Sequence, residues 1–267
     1  MTYLDRILQA HRASARADRR PLDVLVAQVD GLPATRGFRA ALAERGRSAV
    51  AVIAEVKRRS PSKGELAPDL DPAALAHAYE LGGAACLSVL TDAEFFGGSP
   101  EDLRVARGAC SLPVLRKDFT VSALDVVDAR LMGADAVLLI AAALDDAELR
   151  DFRTLAVDLG LDALVEVHDE AELERAVAVE ADLVGVNQRD LVSFEVDTAR
   201  ARRMAARMPP GVVTVAESGI RGAADAAALR GAGYDAVLVG ESLVTSADPR
   251  AAVAALTMPG QPEGGTP

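Results

Sequence analysis

Eight short apolar runs, separated by longer amphipathic stretches, constrain the fold of this 267-residue chain more than any other feature. The runs are rich in Val, Ile, Leu and Ala, and most are apolar throughout rather than at every second residue. Such continuity indicates burial on both faces, which is typical of strands in a parallel sheet. The predicted strands are Ala49–Val56, Ala85–Leu90, Pro113–Lys117, Ala136–Ile140, Ala163–Val167, Leu183–Val186, Val212–Ala216 and Ala236–Val239.

The stretches between the runs carry signals of helix starts. Asp71-Pro72, Ser99-Pro100 and Asp248-Pro249 each place a capping side chain directly before a proline. Eight strand–helix units predict an α/β fold, a closed (β/α)8 TIM barrel. A doubly wound open sheet is the alternative, but it usually has fewer strands, and no Gly-x-Gly-x-x-Gly motif follows the first run.

Residues 1–257 are predicted to form a single barrel domain. Within it, residues 1–46 contain no predicted strand, and we expect an N-terminal helical extension there. Two sets of apolar residues in the extension have helical spacing, namely Leu4, Ile7 and Leu8, and then Phe38 and Leu42. Residues 258–267 are rich in Gly and Pro and are predicted to be a disordered tail.

Composition restricts the class of protein. The formal net charge is −11, and nucleic-acid-binding proteins usually present a basic surface, so nucleic acid is not an expected partner. Cys86 and Cys110 lie in or beside apolar runs and show neither metal nor disulfide spacing. Met1–Arg20 lacks the apolar segment of a signal peptide, and no apolar run is long enough to span a bilayer. We expect a cytoplasmic protein with no membrane partner.

Charged residues cluster where the predicted strands end, which is the face on which barrels place their active sites. Glu55 and Lys57 are two residues apart, so their side chains point to the same side of the first strand. Lys117, Glu166 and Glu217 end the third, fifth and seventh strands. Unpaired charges in a narrow barrel mouth cost on the order of several kcal/mol. We therefore expect these five residues to compensate one another in a site suited to proton transfer.

Three loops at the same end indicate an anionic ligand with a flat ring. The small-residue loops Glu217–Arg221 and Gly240–Ser242 follow the last two strands, where barrels commonly bind phosphate through backbone N–H groups. The basic loop Arg58–Gly64 predicts a mobile lid over an anionic substrate, with a merely solvated loop as the alternative. Three loop aromatics are expected to line an apolar slot. They are Phe95, Phe96 and Phe119.

Several segments, taken in order, closely resemble the indole-3-glycerol-phosphate synthase family. They are Ile53–Ser62, Leu90–Asp92, Phe95–Gly98, Leu115–Phe119, Glu166–His168, Gly185–Asn187, Arg189–Leu191, Glu217–Ile220 and Gly240–Glu241. The resemblance covers about residues 1–257, and its specificity lies in the combination of segments. One departure is Gln188, where members commonly carry another amide or Arg, but Asn187 and Arg189 stay in register.

The resemblance implies an enzyme of tryptophan biosynthesis, a carbon–carbon lyase that needs no cofactor and no metal. Its family converts 1-(2-carboxyphenylamino)-1-deoxyribulose 5-phosphate to indole-3-glycerol phosphate, CO2 and water. By resemblance, Lys117 is the general acid of ring closure, and Lys57 holds phosphate or other substrate oxygens. Glu166 and Glu55 serve dehydration as acid and base, in an order that stays open. The pKa of Lys117 is expected to be lowered by neighbouring cations and low dielectric.

The remaining assignments concern orientation and binding. By resemblance, Asn187 and Ser218 orient the reacting groups. The residues expected to bind substrate are Arg189 and Ser60 near the anthranilate carboxylate, Gly219, Gly240 and Ser242 around the phosphate, Phe96 and Phe119 along the ring, and Glu217.

Two alternatives keep the barrel but change its function. An enzyme like phosphoribosylanthranilate isomerase is expected to use a Cys base and an Asp acid at the barrel mouth, whereas Cys86 lies inside the second strand. A non-catalytic phosphate-ligand-binding barrel would not need Glu55, Lys57, Lys117 and Glu166 together. We expect a small-molecule anionic phosphate substrate and a monomer or weak homodimer.

Overall fold

A closed barrel of eight parallel strands forms the centre of the computed structural model, which describes residues 2–61 and 63–257. The strands are β1 (Ala51–Val56), β2 (Cys86–Leu90), β3 (Val114–Lys117), β4 (Ala136–Ile140), β5 (Asp162–Val167), β6 (Leu183–Asn187), β7 (Val213–Glu217) and β8 (Ala236–Val239). Each strand pairs with its neighbours in chain order, and β8 pairs with β1. The predicted (β/α)8 TIM barrel is confirmed.

Helices surround the barrel and precede it. They are α1 (Tyr3–Ala17), α2 (Leu22–Val29), α3 (Phe38–Gly46), α4 (Pro72–Leu81), α5 (Pro100–Gly108), α6 (Ala123–Leu131), α7 (Asp146–Asp158), α8 (Glu170–Ala178), α9 (Arg200–Ala205), α10 (Ala223–Gly231), α11 (Glu241–Val244) and α12 (Pro249–Thr257). The three predicted starts at Pro72, Pro100 and Pro249 are confirmed, because the preceding Asp or Ser side chain accepts a first-turn amide in each case.

Side chains on the strands alternate between the barrel interior and the helix layer. Ile53, Leu115, Leu164 and Val215 pack together inside the barrel, whereas Val52 packs in the layer between strands and helices. Since the side-chain period of a strand is two, the residue two positions further on also faces inward. At the carboxyl ends of these four strands those residues are Glu55, Lys117, Glu166 and Glu217. The strand period therefore directs four charged side chains to one end of the barrel.

The predicted N-terminal extension consists of α1, α2 and α3. Phe38 of α3 is fully buried at the amino-terminal end of the barrel, where its carbonyl accepts from Cys86 Sγ at 3.6 Å. The first helix lies across the opposite end. Its Tyr3 ring contacts the Phe194 ring edge-on, with centroids 5.2 Å apart. Its Arg12 donates to the Glu148 carboxylate at 2.7 and 2.8 Å. The extension thus contacts both ends of the barrel.

Two further sequence predictions concern the ends and the environment of the chain. The predicted tail, residues 258–267, lies outside the described residues. The single-domain organisation of residues 1–257 stays a prediction. In the described part of the chain, no helix combines the length and the apolar character that crossing a membrane requires.

Replacement of Leu42 by Ala tests the packing of α3 against the barrel. Leu42 is fully buried, so Leu42→Ala should lower the free energy of unfolding by about 2–5 kcal/mol through lost burial and a residual cavity. Leu81→Ala is the matched control, because Leu81 is 53% exposed and should cost within about 0.5 kcal/mol. Urea unfolding followed by circular dichroism measures both variants, and equal losses would contradict the observed packing.

Candidate active site

A cavity of about 740 Å³ opens at the carboxyl ends of the strands. The polar residues around it come from β1, β3, β5, β6 and β7 and from the loops that follow the strands. Apart from Phe95, the residues that the sequence assigns to the site line this cavity: Glu55, Lys57, Ser60, Phe96, Lys117, Phe119, Glu166, Asn187, Arg189, Glu217, Ser218, Gly219, Gly240 and Ser242. The geometry therefore brings these predicted residues together, while the chemical role of each stays a prediction.

Lys117 at the end of β3 lies between two buried carboxylates. Its Nζ is 2.9 Å from Glu166 Oε2 and 3.6 Å from Glu217 Oε2. Burial alone would lower the pKa of Lys117, but the negative charges of Glu166, Glu217 and Glu55 outweigh burial and raise that pKa. The expectation of a lowered pKa is wrong, because carboxylates rather than cations surround the amine. Lys117 is an ammonium group in the ligand-free site.

Glu166 and Glu217 share Lys117 but differ in charge. Burial raises the pKa of Glu166, yet the positive charges of Lys117 and His168 reverse the effect and hold this pKa below its ordinary value. Burial and the negative charge of Glu166 raise the pKa of Glu217 to about 8. Asn187 Nδ2 donates to Glu166 Oε1 at 3.1 Å, whereas Glu217 Oε1 has no hydrogen-bond partner within residues 2–61 and 63–257. Near neutral pH the site therefore offers one carboxylate and one carboxylic acid.

Glu55 and Lys57 form a second ion pair at the end of β1. Lys57 Nζ lies 2.5 Å from Glu55 Oε1, and Ser88 Oγ donates to Glu55 Oε2 at 3.4 Å. A Cβ atom at Gly240 would lie 2.4 Å from Glu55 Oε1 and 3.0 Å from Lys57 Nζ. Glycine at position 240 thus leaves room for the Glu55–Lys57 ion pair. This role is separate from the predicted contact between Gly240 and phosphate.

A hydrogen-bonded chain connects the loop after β7 to Glu166. Ser218 Oγ donates to Asn187 Oδ1 at 2.8 Å, and the Asn187 amide donates to Glu166. Ser218 has a φ of +66°, in the left-handed region that non-glycine residues rarely occupy. Gln188 Nε2 donates to the Ser218 carbonyl at 2.8 Å and so supports this turn. The sequence departure at Gln188 therefore acts on the backbone of the predicted site.

The predicted phosphate loops lie next to one another. Ser242 Oγ donates to the Ile220 carbonyl at 3.3 Å, which ties the loop after β8 to the loop after β7. Gly219 has a φ of +76°, a conformation that suits glycine. A Cβ there would also lie 2.7 Å from Val196 Cγ1. The two loops meet at one rim of the cavity, as the phosphate prediction requires.

The basic loop after β1 is partly bound to the protein itself. Arg58 forms an ion pair with Asp102, and Arg59 donates to the carbonyl groups of Ala93 and Glu94. Lys63 is the exposed cation of the loop, and its Nζ lies 3.8 Å from Glu241 Oε1 at the rim of the cavity. The two arginines therefore anchor the loop, and Lys63 and Lys57 face the cavity.

Two of the three expected aromatic residues line the apolar part of the cavity. The Phe96 and Phe119 ring centroids are 6.3 Å apart. The expectation for Phe95 is wrong, because its buried ring packs edge-on against Tyr3 of α1 at 5.9 Å. Phe194 lines the cavity and was missed, because it lies in a long loop without strand or helix periodicity.

Comparison with known proteins identifies the family. A family model for "Indole-3-glycerol phosphate synthase" matches residues 4–256. The chain belongs to the indole-3-glycerol phosphate synthase family. Proteins of this name from Chlorobium chlorochromatii and Mycobacteroides abscessus are 46% and 50% identical over 258 and 261 residues. These alignments cover 95% and 97% of this chain, and 99% and 95% of the two relatives.

A more distant likeness concerns the fold alone. The solved structure of a thiamine phosphate pyrophosphorylase from Pyrococcus furiosus aligns with a TM-score of 0.59 at 17% identity. The alignment covers 80% of this chain and 95% of that chain. At this identity it supports the barrel and says nothing about the reaction.

In this member of the indole-3-glycerol phosphate synthase family, α1 also contacts the loops that carry the aromatic slot. His11 Nε2 lies 2.8 Å from Asp92 Oδ2, and Asp92 Oδ1 accepts the Phe96 amide at 3.0 Å. His11, Asp92 and Asp118 bring three potential metal ligands within 4.8 Å. Asp118 accepts the Phe119 amide at 2.8 Å and the Arg116 guanidinium at 2.9 Å. Protein donors already occupy these carboxylates, which indicates a structural network.

The raised pKa of Glu217 predicts a measurable effect on stability. Between about pH 4.5 and 8, the folded state keeps a proton on Glu217 that the unfolded state releases. Stability is therefore lost as pH rises through this window. The variant Glu217→Gln lacks this pH dependence. Within the window, the unfolding free energy of the variant minus that of wild type should therefore increase by about 1.4 kcal/mol for each pH unit.

Urea unfolding at several pH values within this window measures the two slopes. Glu174→Gln is the control, because Glu174 is exposed on α8. That variant should follow the wild-type slope. Parallel curves for Glu217→Gln and wild type would show that Glu217 is ionised in the folded protein.

Proposed function

We propose that this chain converts 1-(2-carboxyphenylamino)-1-deoxyribulose 5-phosphate to indole-3-glycerol phosphate, CO2 and water, as a carbon–carbon lyase of tryptophan biosynthesis. The family assignment supports a small phosphorylated substrate. One observation carries the mechanism: the Lys117 ammonium group lies between Glu166 and Glu217 at the wall of a cavity that also contains Phe96 and Phe119. An acid, a base and an apolar slot are thereby available to one small molecule.

Lys117 is proposed as the general acid of ring closure. The ring carbon that bears the carboxylate attacks the ketone carbon, and Lys117 donates a proton to the ketone oxygen as the new bond forms. The bond to the carboxylate then breaks, its electron pair restores the aromatic ring, and CO2 leaves. The raised pKa of Lys117 means that the amine carries the required proton when substrate arrives.

Dehydration needs a proton donor and a proton acceptor. The hydroxyl group formed from the ketone takes a proton and leaves as water, while a base removes a proton from the neighbouring carbon to complete the indole ring. Glu166 is proposed as a base, since Lys117 and Asn187 stabilise its carboxylate. The Glu55–Lys57 pair is proposed to serve the second proton transfer. Neutral Glu217 supplies a further proton donor beside Lys117.

The proposed binding residues surround this centre. Arg189 and Ser60 are proposed to hold the substrate carboxylate. The loops with Gly219, Gly240 and Ser242 are proposed to hold the phosphate. Asn187 and Ser218 are proposed to orient the reacting groups, an idea supported by their hydrogen bond to each other.

An isomerase that uses a cysteine base receives no support. Cys86 is fully buried inside the barrel, its thiol faces the Phe38 carbonyl, and burial raises its pKa. We also propose that the chain acts without cofactor or metal, as a single domain, in the cytoplasm, and as a monomer or weak homodimer.

Replacement of Lys117 tests the general-acid role. Lys117→Met should lower kcat by at least about a hundredfold, the scale of general acid catalysis. Lys117→Arg keeps the positive charge, but its larger planar guanidinium group does not reproduce the position of the ammonium group between Glu166 and Glu217, so it should be nearly as slow. Fluorescence of the indole product measures turnover, and thermal unfolding confirms the fold. Near-normal turnover in Lys117→Met would remove Lys117 from this role.

Salt should weaken substrate capture. The net charge of −11 repels a dianion at long range, so Lys57 and Lys63 at the cavity must supply the local attraction. Raising ionic strength from about 0.01 to 0.15 M shortens the Debye length from about 30 to 8 Å. KM should rise over this range in chloride salts, which avoid competition by phosphate. A flat KM would contradict electrostatic capture by these lysines.

A further inference from the structure

His168 lies directly behind the proposed base. It follows β5 two residues after Glu166, and its side chain is 11% exposed. His168 Nε2 lies 3.5 Å from Glu166 Oε1, and His168 Nδ1 lies 3.0 Å from Glu172 Oε2. The imidazole ring therefore lies between two carboxylates, one in the catalytic cluster and one on α8.

The positions of the protons follow from the donors available. Glu172 Oε2 also accepts the His168 backbone N–H at 2.8 Å, which fixes this carboxylate against the ring. A carboxylate only accepts, so Nδ1 carries a proton. Nε2 is buried without a hydrogen bond to any described residue, and its nearest charged neighbour is Glu166. A lone pair on Nε2 would face a negative oxygen, whereas a proton there makes the contact attractive.

Charged groups on three elements face the ring. Glu166 of β5 and Glu172 of α8 favour the imidazolium ion, and Arg200 of α9 opposes it. Arg200 Nη1 donates to the Asn187 carbonyl at 2.9 Å. Burial lowers the pKa of His168, but the hydrogen bond to Glu172 and the two negative charges outweigh burial and raise this pKa.

We propose that His168 is a positioning residue, held as an imidazolium ion by Glu172, and that its positive charge, 3.5 Å from Glu166 Oε1, keeps the Glu166 carboxylate ionised. The inference rests on the proposed role of Glu166 as a base. It also assigns His168 a role during the reaction. When Lys117 donates its proton, Glu166 loses its nearest cation, and the His168 charge then compensates the buried carboxylate.

Nuclear magnetic resonance of the ligand-free protein tests the protonation state without any assay of turnover. The chain has three histidines, so nitrogen-15 histidine spectra are assigned with His77→Gln and His168→Gln. His168 should have protons on both ring nitrogens at pH 7, because Glu172 and Glu166 raise its pKa above that of an ordinary histidine. Glu172→Gln should lower its midpoint by about one pH unit or more. Exposed His77 on α4 serves as the internal control.

A neutral His168 at pH 7 in the wild-type protein, or a midpoint unaffected by Glu172→Gln, would overturn the proposal. Because this measurement needs no substrate, it stands even if the proposed reaction is wrong. Conversely, an imidazolium His168 in a protein without turnover would count against the proposed function alone.

The pH profile of turnover tests the link to Glu166. His168→Gln should lower kcat about tenfold or more, with a smaller change in KM, because the Glu166 carboxylate loses a compensating charge. Glu172→Gln should move the alkaline midpoint of kcat/KM down by about one pH unit, as the imidazolium ion loses its partner. Glu217 also titrates in this range, but it is retained in both variants.

His77→Gln removes an exposed histidine far along the chain from the site and should keep the wild-type profile. If His168→Gln is unstable, Glu172→Gln together with the resonance titration decides the question. A wild-type profile and normal kcat in Glu172→Gln and His168→Gln would reduce His168 to a packing residue and overturn the proposal.

Discussion

Compensation of buried charge at the barrel mouth is the constraint on which the rest of this site depends. Lys117 contacts Glu166 at 2.9 Å in a place where the Glu166 side chain is 1% exposed. Breaking such a pair leaves an uncompensated charge at a cost of about 3–5 kcal/mol. Residues next to these buried carboxylates therefore have to be hydrogen-bond donors or have very small side chains. Asn187 donates to Glu166, and a Cβ at Gly185 would lie 2.1 Å from Glu217 Oε1.

The same compensation of buried charge gives two glutamate side chains different pKa values. Glu166 of β5 and Glu217 of β7 both face the barrel interior and share one lysine, yet donors surround Glu166 and leave Glu217 Oε1 without a described partner. Environment alone thus separates an ionised carboxylate from a neutral carboxylic acid. Residue type does not reveal this division. For the same reason the sequence left open which of Glu55 and Glu166 acts as acid and which as base in dehydration.

Continuous apolar runs and a strand period of two predicted the barrel and the inward direction of the charged residues. The remaining features depend on spatial detail that neither signal contains. The pKa of Lys117 depends on how many carboxylates face one amine. Phe95 and Phe96 are adjacent, and a tight turn alone decides which ring enters the cavity. Phe194 lies in a loop without periodicity, and His11 meets Asp92 across 81 positions.

The first helix has a consequence for how the molecule is made. Its Tyr3 contacts Phe194, its His11 contacts Asp92, and its Arg12 contacts Glu148. Because synthesis proceeds from the amino terminus, α1 leaves the ribosome before Asp92, Glu148 and Phe194 have been synthesised. The contact with Phe194 therefore cannot form until position 194 of 267 has been synthesised, whereas Asp92 and Glu148 become available earlier. The contact between α1 and the loop after β6 thus becomes possible only after six of the eight barrel strands have been synthesised.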